Sequence, residues 1–339
     1  MCILRLSALG DATHVVPVIR AISNHWPQTR ISWIIGKLEH AMLMSLPGVE
    51  FIPFDKRGGL AAVKALRGEL SGRKFDALLH MQVALRANVL SRFVNSPIRL
   101  GWDRARSRDR HHWFINHQIP AHPFQHQVQG FLEFARFIGA SVGEPVWNLP
   151  IAEQDRKWAE LQWEPGQPVL LISPCSSHTQ RNWAPERYAT VADHAISALG
   201  MKVVLSGGPG QLEQETAAAI ESSMKNAAIN LVGKDTIRQS LALLQRADVV
   251  ISPDSGPVHI ASALGTPVIG LYAATWSRRS GPFRSLDLCV DRFAEAARKF
   301  RHKEPEQLRW GTRIEVPGVM DLVKTEDVIE KLESTRAGR

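Results

Sequence analysis

The chain predicts an α/β protein made of two Rossmann-like halves. Three observations carry this. Short β-branched runs alternate with amphipathic stretches along nearly the whole chain, which is the pattern of βαβ units and a parallel sheet. The alternation breaks near the middle and then starts again. The length, 339 residues, exceeds one average domain and suits two.

The first alternation reads in pairs. Strands are predicted at Cys2–Leu6, Arg30–Ile35, Val49–Pro53 and Ala77–His80. Helices follow at Ala12–Asn24, Leu38–Leu46, Leu60–Leu70 and Ala84–Phe93. Arg99 to Trp113 reads RLGWDRARSRDRHHW, five arginines beside two aspartates and two histidines. So few apolar residues argue for a loop. Gln125–Ile138 is helical, and Ser141–Pro168 lacks periodicity. The domain boundary is placed in that stretch, giving domains 1–160 and 161–339.

The second alternation begins with a strand at Val169–Ser173 and a helix at Pro185–Ala198. Strands Lys202–Ser206, Ile229–Val232, Val249–Ser252 and Pro267–Tyr272 interleave with helices Gln211–Met224, Ile237–Gln245 and Pro257–Leu264. Thr325 is read as the N-cap of a terminal helix. Ligands of such sheets sit at the carboxyl ends of the strands.

Composition narrows the function classes. Apolar residues at 44% and charged residues at 22% exclude disorder as the main state. A net charge of +8 favours an anionic partner without choosing among nucleic acid, a phosphorylated substrate and an anionic membrane face. The basic residues are not interleaved with aromatics in a repeated pattern, so no nucleic-acid module is read. Cys2, Cys175 and Cys289 form neither a CxxC pair nor a metal spacing, which fits a reducing cytosol. Arg5 and Asp11 interrupt any signal-peptide core, and no run of 18 apolar residues exists. Membrane contact is therefore expected to be peripheral.

Four segments carry the chemistry. In LRLSALGDATHVVP, Gly10 is read as permitting a tight turn and Asp11 as lying near a helix start. A carboxylate there either caps the helix or acts as a general base. SPCSSHTQRNWAPERY places Arg181 among hydroxyl and amide donors, which suits either phosphate recognition or a surface loop. LSGGPGQLEQE holds three glycines after a strand, as a close-approach loop or a plain tight turn. In SPDSGPVHIASALGTPVIGLY, Ser255 and Gly256 offer N–H groups at a helix start, with His259 facing the same opening. Thr275 and Arg279 follow the next strand. No GxGxxG, Walker A, Asp-x-Asp, HExxH or GxSxG motif is present, so neither a dinucleotide nor a metal cofactor is expected.

Taken together these segments resemble glycosyltransferase family 9, the ADP-heptose:lipopolysaccharide heptosyltransferases. SALGDATHVVP is similar to the family's S-x-GD-x-x-x-x-P signature, QRNWAPERY to its basic-x-Trp-Pro segment, and PDSGPVHIASALGTPVIGLYAAT to its D-[ST]-G-x-x-H signature. The resemblance implies a GT-B fold, with two Rossmann-like domains facing a central cleft. It implies an inverting, metal-independent displacement with ADP-heptose as donor and no cofactor. Asp11 would take the acceptor proton and Arg181 would neutralise the leaving ADP. Ser176, Thr179, Ser255, Gly256, His259 and Thr275 would line the donor site, with Asp254 on the heptose or positioning the loop. The family's adenosine-contacting Glu has Gln211 at the matching place, so Glu213 is chosen. The N-terminal half would bind Kdo-lipid A, with Gly10, Gln82 and Arg86 on that side, at the cytoplasmic face of an anionic inner membrane. The arginine loop with Arg104, Arg106 and Arg108 is read from its charge either as acceptor or membrane-surface contact or as a solvated charged face. HMQVALRA resembles a heptosyltransferase I branch acting on phosphorylated Kdo. Heptosyltransferase II, another GT-B transferase and a non-catalytic sugar-nucleotide binder stand as alternatives.

Overall fold

In the computed structural model, which describes residues 1–337, the chain divides into two units, Met1–Pro150 and Ile151–Arg339. The first unit runs β1 (Cys2–Leu4), α1 (Leu9–His25), β2 (Ile31–Gly36), α2 (Lys37–Leu43), β3 (Val49–Phe54), α3 (Gly59–Leu70), β4 (Ala77–His80), α4 (Leu85–Ser91), β5 (Ile98–Gly101), β6 (His117–Gln118) and α5 (Gln127–Phe137). Its six strands are parallel in the order β3-β2-β1-β4-β5-β6. Every residue of β1, β2 and β4 is buried, as a parallel sheet covered by helices on both faces requires. Edge strand β3 keeps Ile52 and Phe54 inside and tolerates Pro53, which stands exposed. Cys2, Leu4, Ile34, Ile52, Leu66 and Leu78 belong to one core cluster.

The second unit runs α6 (Glu153–Glu160), β7 (Val169–Ile172), α7 (Pro185–Ser197), β8 (Lys202–Leu205), α8 (Gln211–Ser223), β9 (Ile229–Asn230), α9 (Ile237–Arg246), β10 (Val249–Pro253), α10 (Gly256–Leu264), β11 (Val268–Tyr272), α11 (Ser277–Ser280), β12 (Val290–Asp291), α12 (Phe293–Arg301) and α13 (Thr325–Ala337). Its parallel sheet has the order β12-β11-β10-β7-β8-β9. Numbered within its own unit and read from β9, this is again 3-2-1-4-5-6, the Rossmann order. Local signals match the elements. Thr236 and Gln239 form a reciprocal capping box on α9, and Gly265 takes the left-handed conformation that ends α10.

The division after Pro150 falls inside the stretch Ser141–Pro168 where the sequence places the boundary, and α6 goes with the second unit, fastened to α9. Arg238 Nε donates to Asp155 at 2.9 Å, and Arg246 donates to the carbonyls of Ala159 and Trp163 at 2.6 and 2.7 Å. Three readings of single elements are corrected. Arg99–Trp113 is a loop only in its middle. Arg99–Gly101 belongs to β5, and His111–Trp113 forms a 3-10 turn. Arg99 enters a strand because its guanidinium reaches the carbonyls of Ser91, Val94 and Phe114 at 2.7 to 2.9 Å. Gly10 is not a turn residue but lies in the first turn of α1, since β1 ends at Leu4 and Leu9 already begins the helix. Thr325 is the first helical residue of α13 rather than its cap.

Candidate active site

The strand order fixes where polar side chains gather. In each sheet the direction of winding reverses once, between β1 and β4 in the first unit and between β7 and β10 in the second. Loops leaving the carboxyl ends of those neighbours diverge and open a crevice. Residues 5–8 follow β1, and residues 81–84 follow β4. The segment reaching Arg181 follows β7, and Asp254 with Ser255 follows β10. The first and fourth of the segments singled out by sequence therefore stand at switch points, as does the one containing Arg181.

Asp11 occupies the first turn of α1. Its Oδ2 accepts the Ala8 N–H at 3.2 Å, so the helix-cap reading of this carboxylate holds. The same oxygen pairs with Arg5 and its Oδ1 accepts from Gln127, two contacts that capping does not need. Arg5 is itself anchored, donating to the Met81 carbonyl at 2.7 Å with its guanidinium 5.3 Å from the Phe131 ring centre. Gln82 ties the two switch-point loops together. Its Oε1 accepts the Leu6 N–H at 2.6 Å and its Nε2 donates to Ser7 Oγ at 3.2 Å. Arg86 is exposed and donates to the Lys56 carbonyl at 2.8 Å.

The arginine loop splits by role. Arg106 turns inward, pairing with Asp103, donating to Gln125 at 3.1 Å and to the Pro120 carbonyl at 2.7 Å, and lying over Trp102. Arg104 and Arg108 are exposed. His111 anchors the loop from below. Its Nδ1 meets Asn88 Oδ1 at 2.8 Å, and that oxygen also meets His80 Nε2 at 3.0 Å.

In the second unit Arg181 is 8% exposed. Its Nε and Nη2 donate to Glu315 Oε1 at 2.8 and 2.6 Å, and its Nη1 donates to Asp254 Oδ2 at 3.3 Å. Burial alone would raise the Asp254 pKa. His259 (3.8 Å away), Arg181 and Thr275 outweigh that and hold this carboxyl below the usual carboxylate range. Ser255 is the N-cap residue of α10, bonded through Oγ to Ser252 Oγ at 2.9 Å, and Gly256 opens the helix. Asp254, Ser255, Gly256, His259, Thr275 and Arg181 are thus brought together. Ser176 is buried nearby in the chain, its N–H donating to Asn182 Oδ1 at 2.7 Å, whereas Thr179 stands exposed on a 3-10 turn. Glu213 folds back over the glycine turn: a Cβ on Gly210 would stand 2.4 Å from its carboxylate. Burial pushes the neighbouring Cys175 thiol up, which disfavours a thiolate nucleophile. Among the described residues, no three His, Cys, Asp or Glu side chains cluster as metal ligands.

Sequence reasoning missed Gln127 and Glu315 and took Arg5 only as a charge. Arg5 had a readable signal, a cation at the end of the first strand. Gln127 and Glu315 had none, because they meet their partners across 116 and 134 residues of chain.

Comparison with known proteins agrees with this architecture. Residues 63–309 match the family described as glycosyltransferase family 9 (heptosyltransferase). Over 333 residues the chain is 39% identical to the lipopolysaccharide core heptosyltransferase OpsX of Haemophilus influenzae, covering 98% of this chain and 95% of that protein. It is 25% identical over 283 residues to an Escherichia coli lipopolysaccharide heptosyltransferase 3, covering 78% and 81%. The crystal structure of a family 9 glycosyl transferase from Veillonella parvula shares the fold at a TM-score of 0.81 and 19% identity, over 100% and 97% of the two chains. The E. coli heptosyltransferase WaaC with ADP shares it at 0.75 and 18%, over 98% and 99%. Two Rossmann-like units in one chain are the GT-B architecture, the fold shared with these solved structures. The chain belongs to glycosyltransferase family 9 and is an enzyme of the heptosyltransferase type.

Proposed function

We propose that this heptosyltransferase moves L-glycero-D-manno-heptose from ADP-heptose to the Kdo-lipid A inner core of lipopolysaccharide, with inversion and without a metal ion. The first unit binds the acceptor and the second the donor. The observation that carries the reading is the joining of Arg181, Asp254, His259 and the α10 N-terminus at one switch point. A buried guanidinium beside a helix N-terminus is suited to a diphosphate.

In the reaction, Asp11 takes the proton of the acceptor hydroxyl as its oxygen bonds to the anomeric carbon. The bond from that carbon to the diphosphate oxygen breaks, and its electron pair leaves with ADP. Arg181 has committed three of its five N–H groups to Glu315 and Asp254, which leaves donors on its terminal nitrogens for phosphate oxygens. Charge placed where phosphate charge develops supplies much of the rate. Ser255, Gly256 and His259 hold the diphosphate, Asp254 sits on the heptose or positions the loop, Ser176, Thr179 and Thr275 line the donor site, and Glu213 takes the nucleoside. Gly10, Gln82 and Arg86 shape the acceptor side, with Arg104 and Arg108 at its margin and Arg106 holding the loop. The enzyme works at the cytoplasmic face of the inner membrane. Contact there is peripheral in this reading; among the described residues no helix is long and apolar enough to cross a membrane.

The test is ADP release from ADP-heptose with Kdo-lipid A, with and without a phosphate on Kdo, and in EDTA. Acceptor-dependent release that survives EDTA is expected. Release only with an already heptosylated core would assign the type II reaction instead. Donor binding without release on any acceptor would leave a sugar-nucleotide binder.

A further inference from the structure

One face of the first unit takes no part in the chemistry above. Leu85, Val89 and Arg92 stand at i, i+4 and i+7 along α4 and its C-terminal cap, a single outward stripe. Leu85 is 57% exposed and Val89 46%. The segment 109–114 is fastened alongside. The Leu85 N–H donates to Asp109 Oδ2 at 3.0 Å and Asn88 Nδ2 donates to the Asp109 carbonyl at 3.0 Å. On this segment Trp113 is 57% exposed, with the Arg110 guanidinium 4.6 Å above its ring. Arg92 reaches over from α4 to lie 5.3 Å from the ring centre of Phe114. Three large apolar side chains and two arginines therefore share one surface. It begins with Leu85 beyond the carboxyl end of β4 and runs back to Arg92 and Phe114, which stand near Arg99 at the start of β5.

We propose that this face docks the first unit onto an anionic phospholipid bilayer. An indole with a stacked guanidinium has an apolar body and a charged tip, the form that settles at a lipid–water boundary. The exposed charge is one-sided: between residues 84 and 114, Arg86, Arg92, Arg104, Arg108 and Arg110 stand exposed against Asp109, while Arg99 and Arg106 are spent on partners inside the unit. That balance complements an anionic leaflet. A protein partner fits less well, because a thin apolar stripe broken by arginines does not approach the roughly 800 Å² per partner of a stable interface. The inference rests on the proposed function only for choosing lipid over other anionic surfaces, since an amphiphilic acceptor resides in a bilayer.

The full-length protein, without donor or acceptor, is to be sedimented with phosphatidylcholine vesicles with and without phosphatidylglycerol. Binding that requires phosphatidylglycerol and weakens with salt is expected. Leu85→Ser/Val89→Ser/Trp113→Ser, and separately Arg92→Gln/Arg110→Gln, should each weaken it roughly tenfold or more. ADP affinity should stay unchanged, which certifies the fold. Equal vesicle binding by wild type and variants would overturn the proposal, as would no binding by wild type. Dimerisation lost in the variants while vesicle binding persists would assign the face to a second copy instead. Turnover of a water-soluble acceptor without vesicle binding would sink this inference alone. Vesicle binding without turnover on any acceptor would sink the proposed function alone.

Discussion

Asp11 is held by Arg5, Gln127 and the Ala8 N–H, contacts that fix its carboxylate at the carboxyl end of β1. Asp11→Asn keeps the shape and removes the basicity. It is expected to cut turnover by about 10²–10⁴-fold while ADP-heptose still binds in calorimetry. Unchanged turnover would remove Asp11 from the mechanism. The arginines of the loop separate by a different measurement. Arg106 holds an aspartate, an amide and a carbonyl, so Arg106→Ala should cost about 1–3 kcal/mol of stability and lower Tm. Arg104→Ala and Arg108→Ala, at exposed positions, should leave Tm in place. Sequence alone ranked the three alike, because composition records charge and not the partner that the charge meets. The sequence put Asp254 and His259 in one segment and the structure pairs them, whereas Arg181 reaches Asp254 across 73 residues and Gln127 reaches Asp11 across 116.

At the scale of elements, the arginine loop is attached through a buried trio, His80, Asn88 and His111. Burial lowers the pKa of both histidines, with His111 reduced from 6.5 to about 4. Between those two values the unfolded chain binds a proton that the folded chain refuses. Stability therefore rises with pH through this window and falls on acidification. His111 alone contributes a loss of about 2 kcal/mol between pH 7.5 and 5. Chemical denaturation at the two pH values checks this, and His111→Asn should shrink the difference while the share of His80 remains. A stability that is flat or higher at pH 5 would contradict it. The elements themselves were mostly readable, since parallel strands buried on both faces give continuous apolar runs such as VLLI and VVISP. β5 was not, because Arg99 breaks its run and finds its acceptors on α4 and near the 3-10 turn. α6 was hidden too. It is a charged helix whose reason to exist is an ion pair to α9.

At the scale of the molecule, the boundary at Pro150 can be measured. A fragment beginning at residue 151 keeps the bonds from Arg238 and Arg246 to α6 and its loop, whereas one beginning at 161 loses Asp155 and the Ala159 carbonyl. The longer fragment is expected to be soluble and to bind ADP. The shorter should aggregate or bind at least tenfold more weakly, a loss of about 1.4 kcal/mol or more. Equal behaviour would show that α6 is dispensable. The alternation revealed two halves, yet the repeat of one strand order lay beyond it, because pairing between strands leaves no mark on periodicity. Each sheet draws all six of its strands from one continuous stretch, β1 to β6 and then β7 to β12. During synthesis, the amino-terminal half can therefore finish folding while the ribosome is still making the other. Neither half has to wait for a missing strand with its sheet edge open to aggregation.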